Sequence, residues 1–284
     1  IIFLILIVLI ILAIGVGYLW ILWIRNKDRE EKSLDFVLMQ ITVPRDNEIK
    51  VDAAEQMFAS LYSIYKSSSF SFLKSQDHFS LEIVAVPEQI KFFISCPKGL
   101  QDLVEKQIHG SYPGAEVKET EEYNIFSEEG KLAFAQLKLK SANYYPIKTY
   151  KDLAVDPLSQ ITSALAKMQP GEGAVIQILA APAEGKWRTI GKKYVSKTKQ
   201  AELSTKSESK SPPDPKKMDA IESKCSRVGF NVVVRILVSS KTDEEAKVHL
   251  DNIKSTFSQF NGEYNGLTGA NIRFKKQYLV DFVY

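Results

Sequence analysis

From Ile1 to Ile24 every position is apolar apart from Gly15 and Gly17. A bilayer's hydrocarbon core takes about 20 apolar residues in helix, so residues 1–24 are expected to form one transmembrane helix. Trp20 and Trp23 fall near its end, where amphipathic rings favour the headgroup layer. A short basic juxtamembrane linker, residues 25–33, follows with Arg25, Lys27, Arg29 and Lys32. Basic residues flanking a span mark the cytoplasmic side, so the rest of the chain is expected to face the cytoplasm. A cleaved signal peptide fits poorly, because its apolar region is only about 7–15 residues long. A buried core helix is the remaining alternative.

Beyond residue 33 the periodicity changes repeatedly. Phe36–Val43 reads as a strand ended by Pro44. Asp52 is placed to cap a helix on which Ala54, Met57, Phe58, Leu61 and Ile64 recur at helical spacing. Phe79–Val86 and Ile90–Cys96 flank a short turn and predict a hairpin. A helix from about Leu100 to Ile108 and a strand near Ala115–Lys118 complete the order βαββαβ. The order then recurs. Leu132–Leu139 is a strand, and Asp156-Pro157 places a cap and a first-turn proline ahead of Leu158, Ile161 and Leu165. Ala174–Ala181 and Phe230–Val238 form the second hairpin, and Thr242 with Glu245 makes a capping box. Ile272–Phe274 and Tyr278–Tyr284 are expected as closing strands. The fold class is therefore α+β: a transmembrane helix, then two tandem ferredoxin-like units over 34–122 and 131–284. One larger α+β domain is the alternative.

Charge separates the two units. The chain has 284 residues, 37 basic and 34 acidic, a net +3, yet residues 184–227 alone hold 12 basic and 6 acidic ones. Within that insertion, Ser196–Lys217 has only Ala201 and Leu203 as apolar residues and includes Pro212-Pro213. Too little apolar surface is available to offset ordering entropy, so a long flexible hairpin insertion is expected. Its basic residues Lys186, Arg188, Lys192, Lys193, Lys197 and Lys199 are candidates for contact with nucleic acid or anionic lipid, against the plainer reading of a solvated linker. Trp187 and Tyr194 could stack bases, although packing on the sheet is the stronger reading.

Catalytic signatures are missing from the sequence. His78, His109 and His249 stand far apart with no HExxH, and Cys96 and Cys225 have no CxxC spacing, so no metal site is legible. Neither GxSxG nor GxGxxG occurs. The closest approach to a phosphate loop, Gly185 to Lys193, has five residues between its glycines and Lys where Ser or Thr belongs. The chain is expected not to be an enzyme, and no cofactor is expected.

Two stretches carry a resemblance. One is Ile41-Thr42-Val43-Pro44-Arg45-Asp46-Asn47-Glu48 followed by Ala53–Leu61. The other is Phe79–Val84 with Ile90–Ile94, then Val104–Ile108 and Tyr112-Pro113. Together they resemble the N-terminal, membrane-anchored region of bacterial type IV secretion-like conjugative ATPases of the HerA/FtsK and coupling-protein lineage. In that family a RecA-like motor lies downstream, and the chain, beginning on Ile and ending in an apolar run, reads as a fragment. The resemblance implies a single-pass protein of the bacterial cytoplasmic membrane and a homo-oligomer. It also implies an anchoring and assembly role in DNA translocation, with DNA and secretion-system proteins as partners of the longer protein. A stand-alone membrane-tethered protein-binding module is the alternative.

Overall fold

The computed structural model describes residues 2–26, 34–67, 76–127, 129–203, 214–272 and 278–279. Helix α1 spans Ile2–Asn26 without one acidic or basic residue before Arg25. Its Ile5–Ile24 stretch is long and apolar enough to cross a membrane, and none of that window is buried against protein. Leu, Ile, Trp20 and Trp23 side chains stand exposed around it. A helix apolar on all sides has no stable resting place in water.

All strands among the described residues belong to one sheet. They are β1 (Phe36–Thr42), β2 (Phe79–Val86), β3 (Gln89–Pro97), β4 (Glu116–Glu119), β5 (Lys131–Leu139), β6 (Gly173–Pro182), β7 (Phe230–Ser240) and β8 (Leu267–Gly269). Their spatial order is β4-β1-β3-β2-β6-β7-β5-β8, and every pairing is antiparallel. The expectation of two tandem ferredoxin-like units is thereby corrected. β2 and β6 pair from Phe79↔Ala180 to Ala85↔Ala174, so the two halves share a single eight-stranded sheet. Burial explains why they merge. β2 and β6 bury side chains on both of their faces, and neither can serve as a solvated edge.

Helices α2 (Asp52–Leu61), α3 (Gln101–Ser111), α4 (Pro157–Leu165) and α7 (Asp243–Thr256) cover one face. Met57, Leu61, Val104 and Ile108 close over Val37, Met39, Phe79 and Ile94 in the first half. Ile161, Leu165, Leu250 and Ile253 do the same over Ala174, Ile176, Ile236 and Val238 in the second. The capping signals act locally: Asp156 accepts the Leu158 N–H at 2.9 Å, and Thr242 accepts the Glu245 N–H at 3.2 Å. Asp52 does not cap α2. It lies within the helix, and its carboxylate accepts from the Tyr150 hydroxyl. The opposite face is covered differently: Ile125 and Tyr123 from an extended segment, with Tyr278, pack on Val84, Phe93, Val175 and Leu237.

Two further expectations change. Residues 184–227 contain two helices, α5 (Lys186–Leu203) and α6 (Pro215–Cys225), where a flexible hairpin insertion is expected; residues 204–213 between them lie outside the described set. Val195, Met218, Ile221 and Cys225 form a small core of their own, closed by Tyr144, Tyr145, Trp187 and Tyr194. Asp214 caps α6 by accepting the Lys216 N–H at 3.0 Å, with Pro215 in the first turn. Among the described residues the closing strand is β8 at Leu267–Gly269; Ile272 lies outside any strand and Tyr278-Leu279 is helical. Residues 273–274 and 280–284 of those expected strands lie outside the described residues.

Gly191 sets how closely α5 approaches its neighbours. A Cβ there would stand 2.5 Å from Cys225 Sγ and 2.9 Å from Tyr144 Cβ. Gly191→Ala should cost about 1–3 kcal/mol by overpacking. Gly110→Ala on α3, where a Cβ meets nothing within 4 Å, should instead gain about 0.5 kcal/mol. Urea denaturation of both variants checks this, and equal behaviour would disprove the close packing of α5.

Candidate functional site

A row of polar side chains crosses the middle of the sheet. By register it runs Gln40 (β1), Glu82 (β2), Gln177 (β6), Arg235 (β7) and Gln136 (β5), interrupted on β3 by the apolar Phe93. Each of β2, β6 and β7 is otherwise mainly apolar here, and alternation turns these residues to the face away from the four helices. Glu82 is 5% exposed and Gln177 is 9% exposed. Buried polar groups at this depth need partners. Glu82 Oε1 accepts from Gln177 Nε2 at 3.0 Å, and its Oε2 accepts from the Tyr123 hydroxyl at 2.6 Å. Arg235 Nη1 donates to Gln177 Oε1 at 3.4 Å, and its guanidinium lies 5.8 Å from the Tyr278 ring centre. Burial, with the Glu82 carboxylate beside it, holds the Tyr123 phenol far above its ordinary pKa. Burial also pushes Tyr278 up to about 12, although Arg235 acts the other way. His78 lies at the Phe36 end of this face, 5.1 Å from the Phe36 ring centre, and burial lowers its pKa, with Arg235 adding to the effect. Through Glu82, Gln177 and Arg235 the row joins the two halves side chain to side chain.

A second buried carboxylate brings Ser, Glu and His together. Glu172 accepts from the Ser240 hydroxyl, from the Gln169 N–H at 2.8 Å and lies 3.3 Å from His249 Nε2. Burial acts to raise the Glu172 pKa, but the Ser240, Gln169 and His249 contacts outweigh it and the carboxyl stays below its usual range. The order of contacts does not suit nucleophilic catalysis. An activated serine gives its proton to a base, usually a histidine held by a carboxylate. Here the carboxylate stands between Ser240 and His249, and Ser240 is fully buried. A shallow depression of about 440 Å³ between α4 and α7, lined by Ser159, Gln160, Ser163 and Lys167, shares no residue with either network. Among the described residues, no three His, Cys, Asp or Glu side chains group as metal ligands would.

The six basic residues singled out from sequence all lie on α5, in two ridges. Lys186, Lys193 and Lys197 recur with Ile190 at helical spacing on the solvent side, and Ile190 is 56% exposed. Arg188, Lys192 and Lys199 form the other ridge, beside α6, where Lys199 pairs with Glu222 at 2.8 Å. Trp187 and Tyr194 pack inward and are not available for base stacking. Lys224 of α6 donates to the Tyr145 carbonyl at 3.0 Å, and burial lowers its pKa. Trp20 and Trp23 are exposed on α1, whereas Lys27 and Arg29 lie outside the described residues; Arg25 belongs to the last turn of α1. Cys96 is buried and its thiol is pushed up to about 11 by burial, which suits an inert core residue.

The chain belongs to the DUF8128 family, a domain of unknown function, which matches residues 28–276. No curated protein matches it. Among solved structures, it is similar to an aclacinomycin oxidoreductase at TM-score 0.36 and 9% identity, over 79% of this chain and 41% of that one. A glycopeptide hexose oxidase complexed with teicoplanin follows at TM-score 0.33 and 12% identity, over 80% and 41%. A berberine bridge enzyme variant, a reticuline dehydrogenase, matches at 0.32 and 11%, over 80% and 42%. The chain thus spans about two fifths of the length of these structures. Two expectations are corrected here. The paired ferredoxin-like units give way to the single sheet described above, and the expectation of a chain that is not an enzyme is withdrawn, since these three structures are named as redox enzymes. At these scores the likeness assigns no activity.

Two measurements test the buried networks. Tyr123→Phe removes a hydrogen bond to a carboxylate and should cost about 1.5–3 kcal/mol in urea denaturation; an unchanged midpoint would refute the role given to Glu82. His78 holds its proton less readily folded than unfolded. The unfolded chain therefore binds more protons below the ordinary histidine pKa of 6.5, and stability falls as pH drops from there. Glu172 acts in the same direction, but only below the ordinary glutamate value of 4.5. His78→Gln should therefore flatten the loss between pH 7 and 5 and leave the deeper acid transition in place.

Proposed function

We propose that this chain is the membrane-anchoring and assembly region of a type IV secretion or conjugation-type DNA-translocating machine. The observation that carries the anchoring part is α1, a 25-residue helix with its apolar side chains exposed on all sides, placed ahead of a folded eight-stranded sheet. The translocation part rests on the resemblance of residues 41–61 and 79–113 to conjugative ATPases. The membrane in this reading is the bacterial cytoplasmic membrane. The sheet faces the cytoplasm, because Arg25, Lys27, Arg29 and Lys32 follow the span at once. Self-association belongs to the same reading, since a ring-forming machine brings its anchoring regions together.

Expression of the full chain in a bacterium, followed by alkaline carbonate extraction, should leave it in the membrane pellet, and deletion of residues 1–24 should release it. Light scattering of the full chain in detergent should then give a mass several times that of the 32.0 kDa protomer. A monomer at micromolar concentration would argue against the assembly role and leave a membrane-tethered module.

A further inference from the structure

We infer that the solvent-side ridge of α5, Lys186, Ile190, Lys193 and Lys197, docks on the anionic headgroups of the same bilayer that holds α1, fixing how the sheet stands on the membrane. The inference rests on the anchoring reading of α1 and adds to it a second, electrostatic contact.

Register places the start of β1 and the α5–α6 hairpin together. One row of paired residues runs Leu38, Ser95, Ser80, Leu179 and Val233 across β1, β3, β2, β6 and β7. β1 enters this row from Phe36, β6 leaves it toward Pro182, and β7 enters it from Phe230. The chain arriving from α1 and the α5–α6 hairpin therefore stand at the same end of the sheet. Three strand spacings separate β1 from β6, about 14 Å at roughly 4.8 Å each. Asn26, the end of α1, is ten residue steps from Phe36, which bounds the separation at about 35 Å. Covalent connection therefore keeps α5 within about 50 Å of the bilayer, on the end of the sheet that faces it. Tethering raises the effective concentration of headgroups at α5, so a weak affinity of the ridge for them suffices.

Charge and shape then select the occupant. α5 carries six basic residues and one acid, Glu202. Lys193 and Lys197 make no ion pair among the described residues, and Lys186 meets only Glu184, at 2.9 Å on the surface. Ile190, between Lys186 and Lys193 on the same stripe, offers an apolar side chain to the interfacial layer and has no core to enter. Helices that lie in a membrane interface combine these two features. The opposite stripe of α5 is occupied by its own small core, so the ridge faces outward. Juxtamembrane basic residues gain from an anionic leaflet, and the gain fades within a Debye length of about 8–10 Å. Single strands of nucleic acid would be held by exposed aromatic platforms, and Trp187 and Tyr194 are turned inward. Lipid is the better match.

The test uses the full chain inserted through α1 into vesicles of phosphatidylcholine alone, or with one third phosphatidylglycerol. Thr189→Cys on exposed α5 carries a fluorophore, and Gln89→Cys, at the β2–β3 turn on the opposite end of the sheet, serves as the control site. Native Cys96 and Cys225 are buried and should label little. Spin-labelled headgroups should quench the 189 probe in anionic vesicles and much less in neutral ones, with little quenching at 89. Salt at 0.5 M should reverse it. A favourable contact near an anionic surface is worth about fivefold per basic residue, so Lys186→Gln with Lys193→Gln and Lys197→Gln should cut the docked-to-undocked ratio about 100-fold. Unfolding of the triple variant is checked by circular dichroism, and titration of wild-type with salt supplies the same readout without any substitution. Flotation of the vesicles in high salt separates the two readings. A chain that fails to float has lost the anchor. A chain that floats, but shows equal quenching at 189 and 89 in both lipids, overturns the docking inference alone. A 189 probe that ignores lipid but responds to a 20-mer oligonucleotide at low salt also overturns it, in favour of nucleic acid.

Discussion

Everything beyond α1 depends on the pairing of β2 with β6. These strands meet over Phe79↔Ala180 to Ala85↔Ala174, although about 95 residues separate them along the chain. Their inward faces supply both helix-covered cores, so neither half completes its burial alone. A register slip of one residue would turn Ile176 and Val84 to the wrong faces and carry Glu82 and Gln177 among the helices. The Glu82–Gln177 hydrogen bond crosses the seam and penalises that slip. In a low-dielectric setting a polar group with its partner missing costs more than the bond itself returns, and this asymmetry is what makes the row specify register.

The same logic accounts for the α5–α6 hairpin. It leaves the sheet between the two most buried strands of the second half, yet its own core is four residues closed by four aromatic rings. A core that small holds two helices together only because Tyr144 and Tyr145 reach it from the loop after β5, and because glycines at 191 and 229 let Cys225 and Trp187 come close. The hairpin is therefore an appendage of modest depth on a rigid base. Its solvent stripe is spared from packing duties, and lysines can accumulate there without cost to folding.

Much of the fold was legible. Mainly apolar runs in 79–86 and 174–181 and alternation in 230–238 mark the strands, and Asp156-Pro157 and Thr242/Glu245 mark true helix starts. Where sequence and structure part, the causes are physical. Asp214-Pro215 is the same start signal as Asp156-Pro157, but the polar stretch before it dominated the composition and hid Met218, Ile221 and Cys225 at helical spacing. The closing strand rests on Leu267 alone for its apolar character, and three residues give no period to read. Continuity of the sheet is a long-range pairing that leaves one local trace, the nearly unbroken apolar run of β6, where an edge strand would alternate. The polar row had a trace as well: Glu82, Gln177 and Arg235 each interrupt an apolar strand near its middle. The ridge on α5 was legible as charge, but its regular spacing emerges only once the segment is known to be helical.

The strands at the two ends of the sheet are the shortest but for none: β4 has four residues and β8 three, against ten and eleven for β6 and β7. β4 also carries Glu116, Lys118 and Glu119. So brief and charged a rim offers a visiting strand almost no ladder to extend, and the long hydrogen-bonding rows are spent inside the molecule. Copies of this protein are thereby steered away from stacking into open-ended ribbons. Any closed assembly must be built from side-chain surfaces, with a geometry set by shape and charge and not by the indefinite repeat of the backbone.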